Sequence, residues 1–227
     1  MPESLPPDSH PAAALAHHTA ALDRAWTALR GGGVVAYPSE TVWGLAVLPD
    51  HPAAVERLYA VKGRAAHRPV QVSCQDARTA LELARPDAAL TALSALWPGP
   101  LTLVTPARPG TPPSVAPGGL VGLRVPAHPL ALALLRRSGG RLLTTSCNRS
   151  GQPPALSAAQ ARAMGLADVV LSGPQDDGGP VAGQASTVVQ LPEGTVLRAG
   201  PLDGAVAALL AELRASGPRA SGLRADG

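Results

Sequence analysis

Short apolar segments alternate along this chain with segments of helical periodicity, and this alternation limits the fold more than any other feature. The apolar segments predict strands at 34–37, 70–73, 101–105, 120–125, 141–145, 168–171, 186–191 and 195–198. The segments between them predict helices at 12–30, 51–62, 76–84, 86–96, 128–137, 157–164 and 202–214. Such a pattern is typical of an α/β fold. Several strands follow one another without a helix between them, so the sheet is predicted to be mixed.

The length and the two ends of the chain predict one domain with short flanking segments. With 227 residues, of which 45% are hydrophobic, the chain can bury a sizeable core. Residues 1–11 are rich in proline and polar side chains, which predicts a disordered leader. Residues 12–215 form the predicted domain, and residues 216–227 are predicted to be a flexible tail.

Nothing in the sequence indicates export or a membrane, so we expect a cytoplasmic protein. No run approaches the roughly 18 uncharged apolar residues of a membrane span, and the N-terminus lacks the basic and apolar regions of a signal peptide. Cys74 and Cys147 lie far apart and form no metal-ligand pattern. We therefore expect free thiols in a reducing compartment.

The composition argues against several classes of function. Aromatic residues make up 2% of the chain, with no Phe, so the stacking platforms of a single-strand nucleic-acid binder are missing. The net charge is only +3 and the six His are scattered, so the sequence predicts no metal cluster. It also lacks a Walker loop, a Gly-x-Gly-x-x-Gly turn and a Gly-x-Ser-x-Gly nucleophile motif.

Lys62 is the single lysine of the chain, since 18 of its 19 Lys and Arg residues are Arg. It opens the string Lys-Gly-Arg-Ala-Ala-His-Arg-Pro. Lysine is a compact charge with three rotatable donors, whereas arginine is a planar fork that suits phosphate or carboxylate. Lys62, Arg64 and Arg68 therefore favour a clamp for a highly charged anion. The alternative is a solvated basic turn at a helix end, which the helix dipole stabilises.

Three polar strings lie at the ends of predicted strands, at 38–41 (Pro-Ser-Glu-Thr), 146–151 (Ser-Cys-Asn-Arg-Ser-Gly) and 185–187 (Ala-Ser-Thr). Ligands of open α/β sheets bind beyond strand ends, where hydroxyl and amide groups can hold phosphate oxygens, a carboxylate or an amine. Each Ser-Thr pair taken alone is better explained as a cap or turn. A Pro- and Gly-rich loop at 108–119 is long enough to be a lid or a rim element, and a second such loop lies at 172–182.

Arg124 lies among apolar neighbours in the predicted strand 120–125. A buried guanidinium needs an anionic partner, which a ligand carboxylate or phosphate can supply, and an internal Asp or Glu is the alternative. Arg198, at the end of the last predicted strand, raises the same question.

These strings, in this order, resemble the YrdC/Sua5 family of threonylcarbamoyl-AMP synthases. The resemblance covers roughly residues 19–200 and rests on VVAYPSETVWGLAV, KGRAAHRPV, WPGPLTLV, VGLRVP, TTSCNRSG, ASTVVQ and LRAG. It implies a twisted open α/β sheet with a large, positively charged cavity. It also implies synthesis of L-threonylcarbamoyladenylate from L-threonine, bicarbonate or CO2 and ATP, with release of pyrophosphate. The product serves the N6-threonylcarbamoyl modification of adenosine 37 in tRNA.

The resemblance implies which residues bind each substrate. For ATP they are Lys62, Arg64, Arg68, Ser146, Asn148 and Arg198. For L-threonine they are Ser39, Arg124, Thr144 and Ser186. No covalent nucleophile is implied, because two successive attacks among small ligands depend mainly on positioning. Mg2+ is implied as an assistant that bridges phosphate oxygens, without a metal site built by the protein.

The chain departs from the family's pattern at five positions. They are Ser39 for Thr, Trp43 for Tyr, Arg68 for Asn, Ser73 for His and Cys147 for Ala. Ser39 keeps a hydroxyl, so we expect its role to be unchanged, whereas Arg68 adds charge near the phosphates. The length resembles the single-domain form of the family.

Two other functions stay open as alternatives. An RNA-binding or ribosome-associated module would use the basic cavity for double-stranded RNA or tRNA, and it would need an exposed basic stripe. A carbamoyl-transfer module like that of hydrogenase-maturation proteins would bring zinc-finger and acylphosphatase-like segments, for which this chain has no room. On the main interpretation, a downstream threonylcarbamoyl transferase complex takes the product.

Overall fold

The computed structural model describes residues 11–62, 70–172 and 181–216. Its strands are β1 (Val35–Tyr37), β2 (Gly44–Val47), β3 (Gln71–Cys74), β4 (Leu101–Pro106), β5 (Leu120–Arg124), β6 (Arg141–Ser146), β7 (Val169–Val170), β8 (Thr187–Gln190) and β9 (Thr195–Arg198). Its helices are α1 (Pro11–Arg30), α2 (Pro52–Lys62), α3 (Ala77–Leu81), α4 (Ala88–Ser94), α5 (Pro129–Arg137), α6 (Ala158–Met164) and α7 (Asp203–Ser216). The predicted leader and tail lie almost wholly outside the described residues and stay predictions.

The strands of the described ranges form one open sheet in the order β7-β1-β2-β6-β3-β5-β4-β8-β9. The pairs β1–β7, β3–β5 and β4–β8 are parallel, and the other neighbours are antiparallel. The predicted mixed α/β sheet flanked by helices is therefore confirmed. None of the described helices has the length and apolar character to cross a membrane.

The sequence does not predict strand β2, because its four residues follow a polar string and begin with Gly44. All four residues are buried, and they pair with β1 on one side and with β6 on the other. Pairing with β1 and β6 therefore stabilises this strand, rather than the local strand propensity of its residues. Helices α3 and α4 are shorter than predicted. Their starts are fixed by Asp76 and Asp87, whose side chains accept hydrogen bonds from the amides of Thr79 (2.7 Å) and Leu90 (2.9 Å).

Alternation along the central strands gives the sheet one apolar face and one polar face. The residues on the apolar face belong to the main core, with helices α2, α3, α4 and α7, and include Val72, Cys74, Leu101, Leu103 and Leu123. The residues between them on the other face are Gln71, Ser73, Thr102, Gly122 and Arg124. Helices α1 and α5 cover that other face chiefly at β1, β7 and β6. The polar face of β3, β5 and β4 is thereby left for a site.

Asp168 joins strand β7 to strand β1. Its Oδ2 accepts the amide of Val34 (2.8 Å), and both carboxylate oxygens accept the fork of Arg57 (2.7 and 2.6 Å). Gly33 allows this approach, because a Cβ there would lie 2.9 Å from the carbonyl oxygen of Ala28 and 3.1 Å from the Asp168 carboxylate. The hydrogen bond from Arg57 is the main cause that lowers the pKa of Asp168.

The substitution Asp168→Asn should lower the free energy of unfolding at neutral pH by about 1 kcal/mol, since the ion pair is half exposed. The lowered pKa means that the carboxylate stabilises the fold above the pKa of the unfolded chain. This stability is lost as the pH falls through the folded pKa. Urea unfolding of both proteins should therefore show a difference that shrinks below about pH 4. A difference that stays constant into acid would contradict this role.

Candidate active site

Seven of the residues implied to bind substrates line one cavity of about 460 Å3 on the polar face of the sheet. They are Ser39, Arg124, Thr144, Ser146, Asn148, Ser186 and Arg198. They come from segments far apart in the chain, so the fold brings them together. Arg64 and Arg68 lie outside the described residues, and their placement stays a prediction.

Lys62 lies at the end of α2 with only 2% of its surface exposed. Its Nζ donates to the carbonyl oxygen of Ser146 (2.8 Å), to the Ser146 Oγ (3.3 Å) and to the Asn148 Oδ1 (2.5 Å). Asn148 in turn donates to the carbonyl oxygen of Gln152 (2.5 Å). The lysine is therefore not part of a solvated turn. Its charge fixes the loop after β6 against the end of α2.

Arg124 has an internal anionic partner, which is the alternative that the sequence left open. Its side chain is 8% exposed, and its Nη2 donates to Glu40 Oε1 (2.8 Å) and to Thr41 Oγ1 (2.9 Å). The second oxygen of Glu40 accepts the amide of Ala127 (3.1 Å). The Nε of Arg124 is buried and has no hydrogen-bond partner among the described residues. A buried donor without a partner is costly, so this atom calls for an acceptor from a ligand.

Arg198 forms two hydrogen bonds with Ser186, the residue directly before β8. Its Nε donates to the carbonyl oxygen of Ser186 (2.9 Å), and its Nη2 donates to the Ser186 Oγ (3.0 Å). Burial lowers the pKa of Arg198, and the charge of Arg124 lowers it further. Two guanidinium groups thus lie close enough to repel each other across the cavity. An anion bound between them would relieve that repulsion.

Two residues that the sequence analysis did not single out, Gln71 and Thr102, connect both sides of the cavity. The amide Nε2 of Gln71 donates to Ser73 Oγ (3.1 Å) and Thr144 Oγ1 (3.3 Å). Thr102 Oγ1 donates to Gln71 Oε1 (2.8 Å) and lies 2.9 Å from Ser186 Oγ. The sequence does contain a signal for them, because each is a polar residue that alternates with buried apolar ones in a strand.

Tyr37 forms the end of the cavity next to β2. Its hydroxyl lies 3.4 Å from Ser73 Oγ, and burial raises the pKa of this phenol. The ring lies directly over Gly44, where a Cβ would be 2.7 Å from the ring atom Cε1. Glycine is therefore required at this position of β2. Ser73, where the family commonly has His, is a buried member of the same hydroxyl cluster.

The two Gly- and Pro-rich loops lie in different places. Residues 108–112 border a second cavity of about 460 Å3, together with Glu82 and Arg141, and no residue of the 108–119 loop lines the first cavity. The amides of Ala182 and Gly183, at the end of the second loop, donate to the carbonyl oxygens of Glu40 (3.0 Å) and Thr41 (2.9 Å). Residues 173–180 of that loop lie outside the described ranges.

An open mixed sheet with a cavity of hydroxyl, amide and guanidinium groups at its strand ends defines an α/β protein built to bind small anionic ligands. In the part of the chain that the structure describes, no group of three His, Cys, Asp or Glu residues could hold a metal ion. The chain belongs to the Sua5/YciO/YrdC family, whose model, described as telomere recombination, matches residues 27–200.

Relatives and solved structures support the same family. The chain is 44% identical over 157 residues to a threonylcarbamoyl-AMP synthase of Alkalilimnicola ehrlichii. The matched region covers 65% of this chain and 81% of the relative. It is 38% identical over 178 residues to that of Chromobacterium violaceum, with coverage of 77% and 91%. The crystal structure of P. abyssi Sua5 complexed with L-threonine has a TM-score of 0.71 and 33% identity. The superposed region covers 81% of this chain and 56% of that Sua5 chain.

Both cysteines are free and buried, which confirms the prediction of free thiols. Cys147 lies in the loop that Lys62 holds, and burial raises its pKa to about 11 although the Lys62 charge opposes this shift. Burial raises the pKa of Cys74 to about 12. Because the thiolate is the reactive form, neither side chain is suited to nucleophilic chemistry near neutral pH.

We therefore expect the folded protein to be inert to a disulfide reagent such as DTNB at about pH 8. Two thiols should react after the addition of denaturant. The variant Cys147→Ala, which carries the residue common in the family, should release one thiol on unfolding and keep the same stability within about 1 kcal/mol. Rapid labelling of the native wild type would contradict the burial of these groups.

Proposed function

We propose that this protein is a threonylcarbamoyl-AMP synthase, a nucleotidyltransferase that converts L-threonine, bicarbonate or CO2 and ATP into L-threonylcarbamoyladenylate and pyrophosphate. One observation carries the proposal. A single cavity combines the unpartnered Nε of Arg124 and buried hydroxyl groups with Arg198 at its β8 end and the loop held by Lys62 at its β6 end. The relatives from Alkalilimnicola and Chromobacterium bear this name.

The amino acid occupies the part of the cavity lined by Ser39, Arg124, Thr144 and Ser186. Its carboxylate accepts the hydrogen bond that Arg124 Nε offers and shares the guanidinium with Glu40. A bidentate carboxylate is the small anion that best matches an arginine fork. The presence of L-threonine in the P. abyssi Sua5 complex supports an amino acid as ligand of this fold.

ATP is held by Ser146 and Asn148 at the β6 end of the cavity and by Arg198 at its β8 end, and Arg64 and Arg68 are proposed to add positive charge. Lys62 contributes through the Ser146–Asn148 loop, which it holds by three hydrogen bonds. ATP would enter as its Mg2+ complex, in which the ion would neutralise part of the phosphate charge as part of the substrate.

The protein acts by positioning two successive attacks. The neutral threonine amine attacks CO2 and loses one proton to water, which forms a carbamate. A carbamate oxygen then attacks the α-phosphate and displaces pyrophosphate. Bound reactants gain the advantage of proximity, and preorganised guanidinium groups stabilise the charge that moves onto pyrophosphate. This chemistry needs no covalent nucleophile from the protein.

On this proposal the product is handed to a threonylcarbamoyl transferase complex for tRNA modification in the cytoplasm. An RNA-binding module would place its cations on an exposed stripe, whereas Lys62 and Arg124 are both buried. The burial of these two residues therefore favours the synthase over that alternative.

Purified protein should release pyrophosphate from ATP only when L-threonine and bicarbonate are both present. Attack at the α-phosphate requires pyrophosphate as the leaving group, so AMP-type products should accumulate and ADP should not. A coupled pyrophosphate assay with chromatography of the nucleotides checks this expectation. ADP and inorganic phosphate as the main products would show a different reaction class.

The substitution Arg124→Lys should weaken L-threonine binding by about tenfold or more, because lysine keeps the charge but lacks the Nε donor and the planar fork. ATP affinity should change much less. Calorimetric titration of each ligand measures both effects, and Arg136→Lys on the exposed surface of α5 is a matched control. A loss of ATP affinity with unchanged threonine affinity would place Arg124 in the nucleotide half of the cavity.

A further inference from the structure

Gln71 lies at the centre of the cavity floor and is assigned no role by the resemblance. On strand β3 it pairs with Gly122 of β5 on one side and with Thr144 of β6 on the other. The amide of Gln71 extends across β5 at Gly122 and reaches Thr102 on β4. One residue therefore bridges four neighbouring strands of the polar face.

On the β4 side, each hydroxyl proton of the network has a defined acceptor. Thr102 donates its single proton to Gln71 Oε1 (2.8 Å). The Ser186 hydroxyl, 2.9 Å from Thr102 Oγ1, must then be the donor of that hydrogen bond. Ser186 Oγ accepts from the Arg198 guanidinium (3.0 Å). The chain of donors thus runs from Arg198 to the amide oxygen of Gln71.

On the β6 side, the amide and hydroxyl protons of the network are also donated to acceptors within the protein. Gln71 Nε2 donates to Ser73 and Thr144, and the Thr144 hydroxyl donates to the carbonyl oxygen of Gln71 (3.3 Å). Ser73, 2.8 Å from Thr144 Oγ1, must therefore donate to Thr144. In this arrangement the oxygen of the Gln71 amide faces Thr102 and its nitrogen faces Ser73 and Thr144.

The side-chain oxygen atoms of Gln71, Thr102 and Ser186 therefore form a cluster of hydrogen-bond acceptors that offers a ligand no donor. Gln71 Oε1, Thr102 Oγ1 and Ser186 Oγ each accept one hydrogen bond in the network, and each oxygen can accept two. Their own protons are used inside the cluster. A carboxylate or phosphate oxygen would meet only lone pairs here, so the cluster selects a ligand that carries N–H donors.

We propose that Gln71, with Thr102 and Ser186, binds the α-amino group of the amino-acid substrate whose carboxylate Arg124 holds. This inference rests on the proposed function. Arg124 lies on the same face of β5 as Gly122 and two residues further on, so the subsites for carboxylate and amine adjoin. The nearby charges of Arg124 and Arg198 favour the neutral amine over the ammonium ion. The neutral amine is the form whose lone pair can attack CO2.

The test compares L-threonine with 3-hydroxybutanoate, which has the same carboxylate and hydroxyl but no amine. Affinities are measured by calorimetry, with displacement titration for the weaker ligand. The substitution Gln71→Leu should weaken L-threonine binding by about fivefold to tenfold, as expected for the loss of one good hydrogen bond between neutral groups. The affinity for 3-hydroxybutanoate should change by about twofold or less. Gln71→Met provides a second variant of closer shape if Gln71→Leu does not fold.

Gln75→Leu, the same change just past the other end of β3, is the control and should leave both affinities unchanged. Equal losses for both ligands in the Gln71 variants would overturn the inference, because Gln71 would then act only through packing. Unchanged L-threonine affinity would also overturn it while the proposed function stands. A wild-type protein that binds no L-threonine and releases no pyrophosphate would overturn the proposed function together with the inference.

Discussion

The desolvation of polar groups on one face of the sheet is the constraint on which the rest of the site depends. Ser73, Thr144, Ser186 and Arg124 are all nearly inaccessible to water. Each such group costs about 1–3 kcal/mol if it is left without a partner. Hydrogen bonds between neighbouring strands meet most of this demand, so the walls of the cavity are rigid before a substrate arrives. Arg124 Nε, which has no partner among the described residues, belongs to the lining of this cavity.

The fold class followed from strand alternation, and the residues that line the cavity were indicated by short polar strings and by the resemblance to the family. Strand β2 did not follow from the sequence. Alternation marks Gln71 and Thr102 as polar positions, but that they meet depends on which strands become neighbours. A Gln in a short strand has no special meaning until Gly122 lies beside it. Lys62 was singled out for its charge, but sequence reasoning could not show that three oxygen atoms of the loop after β6 surround its ammonium group.

The contact between Arg124 and Glu40 has a double effect on binding. It holds the guanidinium in place without a ligand, which lowers the entropy lost when a substrate arrives. The same carboxylate also competes with the substrate's carboxylate for one cation, so the net gain in free energy is smaller than the contact alone would give. Glu40 also receives the amide of Ala127, and its carbonyl oxygen accepts the amide of Ala182. Glu40 therefore connects Arg124 to the segments of Ala127 and Ala182 through hydrogen bonds.

Arginine is used at 18 of the 19 Lys and Arg positions of this chain, and Lys62 lies at the one position where the surrounding contacts require lysine. Arginine has taken nearly every cationic position of this chain, on its surface and in its cavity. At the end of α2, however, three acceptors converge on one point, and a flat five-donor head group cannot replace a tetrahedral ammonium there without opening the loop. This one position therefore requires a compact charge, whereas the other cationic positions of the chain are filled by the larger head group of arginine.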